Sequence, residues 1–220
     1  LVSMGNYLFD TDVLVNEIIR DSETTGSAHD FGKNIVSSMV GDKRTFVYDF
    51  ATNRHEGQKP KEFGYWRDVG TLDAYWEASM DLVELEPVFN LYNHNWPIRS
   101  TYQHLPPAKF IKPDEGDGRF GYATRSLVSP GCIISGGLVD RSILATSVYV
   151  HSWAEVNDCV IGEGCSIGRR VKLNRVILDK FVTIDPGIEI GFDHERDRQR
   201  GLTVTDGGIV AIPKGMHIKD

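Results

Sequence analysis

The clearest indication of chemistry in this sequence is a carboxylate between an arginine and a Val-Gly turn. It is Asp68, in the stretch 65–71, and it directly follows Trp66 and Arg67. Thr71 has the right side chain to cap a helix that starts after it. An acid held just outside a helix start, beside an aromatic ring, suits a site for a metal and a polar ligand. The alternative is a surface ion pair of Arg67 with Asp68 beside an ordinary helix cap.

A second acid stands before an aromatic residue at Asp30 and Phe31. Asp30 can be the N-cap of a helix, because Ile35 and Met39 follow it at helical spacing. The functional alternative is that Asp30 contacts a ligand beside an aromatic wall formed by Phe31. The sequence by itself leaves both interpretations open.

The elements around these two sites follow from patterning. Another helix is expected to start at Asp10 or Thr11, and the alternation of aromatics over 44–50 predicts a strand. The helix after Thr71 carries an apolar stripe that indicates a core contact. Residues 1–9 have the pattern of a buried strand with no polar lead-in, so we expect the chain to be a fragment that begins inside a domain.

Composition excludes some functions. The chain has 220 residues, 40% of them hydrophobic, and a formal net charge of -7, which argues against a general nucleic-acid binder. A phosphorylated substrate is compatible with this charge where cations cluster locally. No stretch has the pattern of a signal peptide or membrane span, and the three cysteines lack metal-ligand spacing, so the expected location is the cytoplasm, without a membrane partner.

From about residue 127 to 190 the sequence changes to short β-branched and small residues with a six-residue period. Such a period predicts a parallel β-helix of about three and a half coils, in which aliphatic residues and the three cysteines stack inwards. An antiparallel β-sandwich is the alternative, but hairpin signals such as Asn-Gly are absent from this region. The aliphatic positions that carry the period are Leu138, Leu144, Val150 and Val156, then, after a slip of one residue, Ile161, Ile167 and Leu173.

Basic residues cluster late in the repeat region. Arg170 and Arg175 stand with Arg169 and Lys172 within seven positions. Most such clusters are simply solvated. In an acidic protein, however, a local cationic patch could also hold a phosphorylated ligand.

Four stretches together resemble the bacterial glucose-1-phosphate adenylyltransferase family. They are 3–9 (Ser-Met-Gly-Asn-Tyr-Leu-Phe), 27–33 (Ser-Ala-His-Asp-Phe-Gly-Lys), 65–71 (Tyr-Trp-Arg-Asp-Val-Gly-Thr) and 95–110, from Asn-Trp-Pro-Ile-Arg to Leu-Pro-Pro-Ala-Lys-Phe. The Arg-Asp-Val-Gly-Thr motif also occurs in related sugar-nucleotidyltransferases, and the combination is more specific. With the repeat region, these stretches span nearly the whole chain.

The resemblance implies a fold and an activity. The expected fold is an α/β catalytic-domain remnant of the Rossmann-like nucleotidyltransferase type, followed by a left-handed parallel β-helix of hexapeptide repeats. The expected domains are residues 1–90 for the catalytic part, 91–120 for a linker and 121–220 for a regulatory and oligomerisation domain. The implied reaction converts ATP and α-glucose 1-phosphate to ADP-glucose and diphosphate, in glycogen biosynthesis.

Site residues also follow from the resemblance. Asp68 matches the family's C-terminal metal aspartate, a ligand of Mg²⁺. Arg175 lies where the family often has an effector-binding arginine, and Arg170, its neighbour, is a second candidate for effector binding. Members are usually homotetramers controlled by a phosphorylated metabolite. The positions that match the glucose-1-phosphate pocket are Ser3, Tyr7, Asp30, Phe31 and Trp66.

The sequence departs from the family in one large respect. The family's Gly-rich nucleotide loop, upstream metal aspartate and substrate lysine precede the position of Ser3, so we expect the 220-residue chain to be inactive and its intact parent to be the enzyme. Two alternatives stay open. One is a non-catalytic regulatory subunit of the same family, and the other is a hexapeptide-repeat acyltransferase, for which His151 is the candidate catalytic residue.

Overall fold

The computed structural model describes residues 3–101, 103–112 and 118–219. The chain divides into two compact units, residues 1–52 and residues 53–220. The first contains a helical segment of the predicted catalytic part, and the second contains the rest of that part together with the repeats. Within the described residues, no helix combines the length and the apolar character that crossing a membrane requires.

In the first unit, both helix starts predicted from capping residues are confirmed. Helix α1 (Thr11–Ser22) is capped by Asp10, whose Oδ1 accepts hydrogen bonds from the first-turn amides. Asp30 caps a π-helical turn (Phe31–Val36) by accepting the Lys33 N–H at 2.7 Å, and a short helix α2 (Ser37–Met39) follows. The capping interpretation of Asp30 is therefore confirmed.

The strand predicted over 44–50 is wrong. This stretch has no regular structure until a 3₁₀ turn at Phe50–Thr52, and the side chains of Phe46 and Tyr48 are 88% and 74% exposed. Residues 3–9, the described part of the strand predicted over 1–9, do not form a strand either, and Leu8 is fully exposed. A strand needs a hydrogen-bonded neighbour as well as an alternating pattern, and no strand in the described part of this unit pairs with either stretch.

Buried carboxylates hold α1 to the segment that follows it. Asp21 accepts hydrogen bonds from Ser27 Oγ at 2.6 Å and from His29 Nδ1 at 2.8 Å. The hydrogen bond from Ser27, and then that from His29, keeps the pKa of the Asp21 carboxyl below its ordinary value. Glu17 on the same helix pairs with Arg20 and Lys43.

The second unit begins with irregular chain and short helices. A 3₁₀ turn (Pro60–Glu62) precedes the stretch 65–71, and helix α3 (Leu72–Asp81) follows it. Thr71 caps α3, because its Oγ1 accepts the Ala74 N–H at 3.1 Å, as the sequence predicted. A fourth helix, α4 (His194–Gln199), lies in the tail of the chain.

The repeats form a parallel β-solenoid with three sheets, which confirms the predicted β-helix and excludes the β-sandwich. Each turn contributes one short strand to each sheet, and the described pairings are parallel except that of β15 with β16. The first sheet contains β1 (Lys109–Ile111), β4 (Ile133–Ser135), β7 (Tyr149–Val150), β10 (Ser166–Ile167), β13 (Thr183–Ile184) and β17 (His217–Ile218). The second contains β2 (Tyr122–Thr124), β5 (Leu138–Asp140), β8 (Glu155–Asn157), β11 (Lys172–Asn174) and β14 (Glu189–Ile190). The third contains β3 (Leu127–Val128), β6 (Ile143–Leu144), β9 (Val160–Ile161), β12 (Val176–Leu178), β15 (Thr203–Val204) and β16 (Val210–Ile212).

One predicted core position is wrong by one residue. Val139, and not Leu138, is fully buried, because inward residues lie five or six positions apart, in steps of six, six and five from Leu144 to Ile161. One coil therefore takes 17 residues, as the buried series Leu144, Ile161 and Leu178 demonstrates. The solenoid also starts earlier than the period indicated, at β1, which lies within the predicted linker.

Corners of the solenoid turn through left-handed backbone conformations. One corner column consists of Arg125, Arg141, Asp158 and Arg175, with φ of 47°, 45°, 52° and 56°. Such φ values are unfavourable for residues with a Cβ. The three arginines of this column form side-chain hydrogen bonds, Arg125 with Asp140, Arg141 with Asp158 and Glu84, and Arg175 with the Gly207 carbonyl.

The three cysteines are free and lie in the solenoid core, as predicted. Cys132, Cys159 and Cys165 are at most 1% exposed. Burial raises the pKa of the Cys159 thiol to about 12 and that of Cys165 to about 11. These thiols serve as small packing groups.

Candidate active site

The loop 65–71 presents Asp68 at the start of helix α3. Asp68 Oδ1 accepts the Gly70 N–H at 3.1 Å, which fixes the carboxylate relative to the turn. The side chain is exposed, and Asp68 Oδ2 has no hydrogen bond to any residue that the structure describes. One carboxylate oxygen is therefore available to a ligand.

Arg67 ties this loop to helix α3. Its Nε donates to Asp81 Oδ2 at 2.7 Å, and a second guanidinium nitrogen lies 2.5 Å from the same oxygen. Asp81 also raises the pKa of Arg67. The ion pair considered from the sequence, between Arg67 and Asp68, is therefore wrong, because α3 supplies the carboxylate. Tyr65 holds the other end of the loop, because its ring stacks on that of Phe89 with ring centroids 5.3 Å apart.

A cleft of about 480 Å³ brings Trp66 and Asp68 together. Its volume lies in the range of small-molecule sites. Charged groups of both signs line the cleft, among them the ion pair of Arg67 with Asp81, and Arg141 from the solenoid. The Trp66 side chain is 42% exposed, which leaves part of its ring accessible to a ligand.

Four of the predicted sugar-site residues lie in the first unit and form a connected set. Ser3 Oγ and the Tyr7 hydroxyl are 2.7 Å apart. A Cβ built on Gly32 would lie 3.5 Å from both the Tyr7 hydroxyl and Asp30 Oδ1, so these two polar groups flank the same glycine. Phe31, 41% exposed, reaches this set through an aromatic contact with Phe9, whose ring also contacts Tyr7. The fifth predicted sugar-site residue, Trp66, and the predicted metal ligand, Asp68, belong to the second unit.

The two predicted effector arginines differ in their contacts. Arg170 is exposed at a corner with φ of 58°, and its side chain makes no hydrogen bond or ion pair among the described residues. Arg175 is half-buried. Its guanidinium lies 4.4 Å above the centroid of the Trp76 ring and donates to the Gly207 carbonyl at 2.8 Å.

Sequence reasoning missed the contacts between helix α3 and the solenoid. Trp76 Nε1 donates to the Asp158 carbonyl at 2.7 Å, and Thr205 Oγ1 donates to Asp73 Oδ1 at 2.7 Å. Arg141 joins Glu84 at 2.7 Å to Asp158 at 2.6 Å. The apolar stripe of α3 predicted a core contact but not its partner, because a stripe specifies only that one face is covered.

The residues present are compatible with a magnesium ion. In the parts of the chain that the structure describes, no three acidic, histidine or cysteine side chains converge as a complete metal cage. Mg²⁺ in nucleotide sites, however, is usually held by one or two carboxylates together with substrate phosphates and waters. Asp68 supplies one such carboxylate, with Oδ2 available.

Comparison with known proteins agrees with this architecture. Residues 1–84 match the model of the nucleotidyl transferase family, and residues 106–212 match that of the GlmU-like C-terminal hexapeptide family. The chain thus combines a segment similar to the nucleotidyl transferase family with a hexapeptide solenoid, and the nucleotidyl transferase family suggests a divalent metal ion as cofactor.

Relatives narrow the class further. The chain is 54% identical to the glucose-1-phosphate adenylyltransferases of Anaeromyxobacter sp. (strain Fw109-5) and Anaeromyxobacter dehalogenans, over its full length and 53% of theirs. It is 48% identical to that of Frankia casuarinae, over 99% of its own length and 52% of the relative's. The chain is therefore similar along its whole length to glucose-1-phosphate adenylyltransferases. It spans about half the length of the curated relatives that it matches.

Proposed function

We propose that the intact protein containing this chain is a glucose-1-phosphate adenylyltransferase, which converts ATP and α-glucose 1-phosphate to ADP-glucose and diphosphate. The observation that carries the proposal is the 54% identity along the whole chain to enzymes of that name. The physical support is Asp68, which is anchored at a helix start beside an exposed tryptophan ring and has one carboxylate oxygen without a hydrogen bond among the described residues.

In this reaction a phosphate oxygen of the sugar phosphate attacks the α-phosphorus of ATP, and diphosphate leaves. The protein's share of such a transfer is mostly positioning and charge neutralisation. Mg²⁺, held in part by Asp68, would supply charge neutralisation at the phosphates. Asp68 would be fixed for this role by the Gly70 amide, and Arg67 would hold the loop through Asp81.

The sugar phosphate would be recognised by polar groups and aromatic faces. Trp66 offers a ring face, and the Ser3 and Tyr7 hydroxyls with the Asp30 carboxylate offer hydrogen-bonding groups for sugar hydroxyls. Asp30 can fill this role while it caps its helical turn, because only Oδ1 is used by the Lys33 amide. Phe31 would contribute a second apolar wall.

We further propose regulation and assembly typical of such enzymes. The protein would be a homotetramer in the cytoplasm, with the solenoid from β1 onwards used for assembly and regulation and the chain between residue 91 and β1 as the link to the catalytic part at 1–90. A phosphorylated metabolite would bind near Arg170 and Arg175. Arg170 has the more accessible guanidinium, because that of Arg175 is already engaged with Trp76.

Diphosphate release by the intact gene product, given ATP, α-glucose 1-phosphate and Mg²⁺, tests the proposal. Asp68→Ala should lower kcat at least about a hundredfold, because a metal ligand contributes several kcal/mol of charge stabilisation and each 1.4 kcal/mol is a factor of ten. Asp42→Ala, which changes an exposed turn carboxylate, is the matched control and should leave activity unchanged.

The outcomes separate the alternatives. Full activity in folded Asp68→Ala would remove Asp68 from the chemistry while keeping the enzyme class. A folded intact protein with no activity would instead favour the regulatory-subunit interpretation. Acyl transfer from coenzyme A that depends on His151 would favour the acyltransferase.

A further inference from the structure

The loop 205–209 of the solenoid contacts the first turn of helix α3 through a hydrogen bond and close packing. Asp73 Oδ1 accepts a hydrogen bond from Thr205 Oγ1 at 2.7 Å, and the same hydroxyl accepts the Ile209 N–H at 3.0 Å. Gly207 makes room for the carboxylate, since a Cβ there would lie only 2.2 Å from Asp73 Oδ1. Any side chain at Gly207 would therefore displace the Asp73 carboxylate from its position against Thr205.

A second set of contacts secures the middle of α3. Trp76 is 8% exposed, and its Nε1 donates to the Asp158 carbonyl at 2.7 Å. The Arg175 guanidinium lies over the face of the Trp76 indole and donates a hydrogen bond to the Gly207 carbonyl. Met80 in the helix and Val83, just beyond its end, belong to one buried cluster with Val160 and Ile177 of the third sheet and with Ile209.

This set of contacts, which we name the α3 joint, consists of Asp73, Trp76, Asp158, Arg175 and Thr205. Asp73 and Trp76 come from α3, Asp158 and Arg175 from the same corner of two consecutive coils, and Thr205 from the loop before β16. Because the contacts lie at several points of the solenoid, they orient the helix as well as bury it. A single apolar stripe would leave a helix free to slide or rotate on its support. Directional hydrogen bonds at two successive turns remove that freedom.

The α3 joint is connected to the candidate active site through short, bonded segments. Thr71 caps α3 and lies only three residues after Asp68, whose own carboxylate is held by Gly70. Arg67, on the other side of Asp68, returns to α3 through Asp81. The loop with Asp68 is therefore attached to α3 at both of its ends, and its position follows that of the helix.

We propose that Trp76, Arg175 and Thr205 are positioning residues, through which the solenoid holds Asp68 in place for nucleotidyl transfer. The inference rests on the proposed function for its catalytic consequence. Its structural content, that the joint fixes the loop 65–71, is independent of that function. In this arrangement the solenoid is part of the catalytic apparatus, and Arg175 acts from a distance without touching substrate.

The test uses the intact gene product and variants that weaken single contacts. Trp76→Phe removes the indole N–H but keeps an aromatic ring, Thr205→Val removes the hydroxyl at nearly constant volume, and Thr205→Ser restores it. Arg125→Lys is the matched control, because Arg125 occupies the same corner column but pairs with Asp140. The measurements are kcat, KM, the Mg²⁺ concentration for half-maximal rate, and Tm.

For Trp76→Phe and Thr205→Val we expect kcat to fall about ten- to a hundredfold, because displacement of a reacting group by about 1 Å can cost that much. The Mg²⁺ requirement should rise in parallel, and Thr205→Ser should restore both. Arg125→Lys should leave all of them unchanged. Loss of Tm without loss of kcat per folded molecule, or no recovery in Thr205→Ser, would show that the joint is merely structural.

Hydrogen exchange provides a readout that does not depend on activity. The amides of Gly70 and Ala74 are bonded to Asp68 and Thr71, so their protection should drop in Thr205→Val and recover in Thr205→Ser. Unchanged protection would overturn the proposal even if the enzyme is active. An inactive wild-type protein would overturn the proposed function, while the exchange measurement would still decide whether the joint fixes the loop.

Discussion

Arg170 and Arg175 lie on successive corners of the same coil. Comparing their variants separates the contribution of backbone strain to the free energy of unfolding from that of side-chain contacts. Arg170 and Arg175 have φ of 58° and 56°, so replacement by glycine relieves the same left-handed strain at both positions. That relief is about 1 kcal/mol or more, and the greater freedom of glycine in the unfolded chain offsets about 0.5–1 kcal/mol of it. For Arg170→Gly, whose side chain forms no bonds in the described part of the chain, the net change in the free energy of unfolding should be close to zero.

Arg175→Gly should behave differently, because its contacts are lost along with the strain. The guanidinium contact with the Trp76 ring contributes about 0.5–2 kcal/mol, and the hydrogen bond to the Gly207 carbonyl about 1.5 kcal/mol. The two variants should therefore differ by about 2–4 kcal/mol, with Arg175→Gly the less stable.

Urea unfolding of the 220-residue chain followed by tryptophan fluorescence measures this difference. All four tryptophans, Trp66, Trp76, Trp96 and Trp153, lie in the second unit, so the signal reports on the unit that contains both arginines. Arg175→Lys, which keeps the charge but not the planar group, is a further control and should fall between wild type and Arg175→Gly. Equal midpoints for the two glycine variants would refute the argument that contacts, and not backbone preference, maintain Arg175.

Three further results are expected. The raised pKa values of Cys159 (about 12) and Cys165 (about 11) predict that a thiol reagent at pH 8 labels the protein only after unfolding, and rapid labelling of the native chain would contradict this. Because the folded state keeps these protons, the free energy of unfolding should also fall as pH rises above about 9. The lowered pKa of Asp21, caused first by Ser27 and then by His29, predicts stability that is present above about pH 4 and lost as pH falls further, and Asp21→Asn should flatten that acid dependence in a pH titration followed by circular dichroism. The 220-residue chain assayed alone should release no diphosphate from ATP and α-glucose 1-phosphate, and any ADP-glucose that it forms would refute the expectation that residues beyond these 220 complete the nucleotide site.

Sequence patterning predicted the solenoid well because its core repeats. Each buried aliphatic residue, such as Ile161 or Leu173, has equivalents one coil away, so the signal accumulates along the chain. The error at Leu138 arose where the chain shortens one repeat to five residues at the corner formed by Arg141. A fixed six-residue period cannot represent that slip, although the spacing of the buried residues reveals it afterwards.

Patterning failed where the decisive neighbour is distant in sequence. The alternation of Phe46 and Tyr48 satisfies a strand template, but nothing in the template supplies the partner strand that a ladder requires. Capping residues were more reliable, because Asp30 and Thr71 bond to amides three residues away and the whole interaction is local. The role of Thr205 was beyond local reasoning, since its partner, Asp73, is 132 positions away.

The same distinction explains what the solenoid adds to the candidate site. The local sequence is sufficient to cap α3 and to place Asp68 beside the cap, but a helix of ten residues is too short to hold a fixed orientation in water without tertiary support. The fold supplies that support from corners whose backbone conformation would otherwise favour glycine. Asp158 and Arg175 occupy such corners, and both contact Trp76, Asp158 through its main-chain carbonyl and Arg175 through its guanidinium. At Arg175 the cost of left-handed backbone is thus offset by a side-chain contact that orients α3, which links the geometry of the repeats to the position of Asp68.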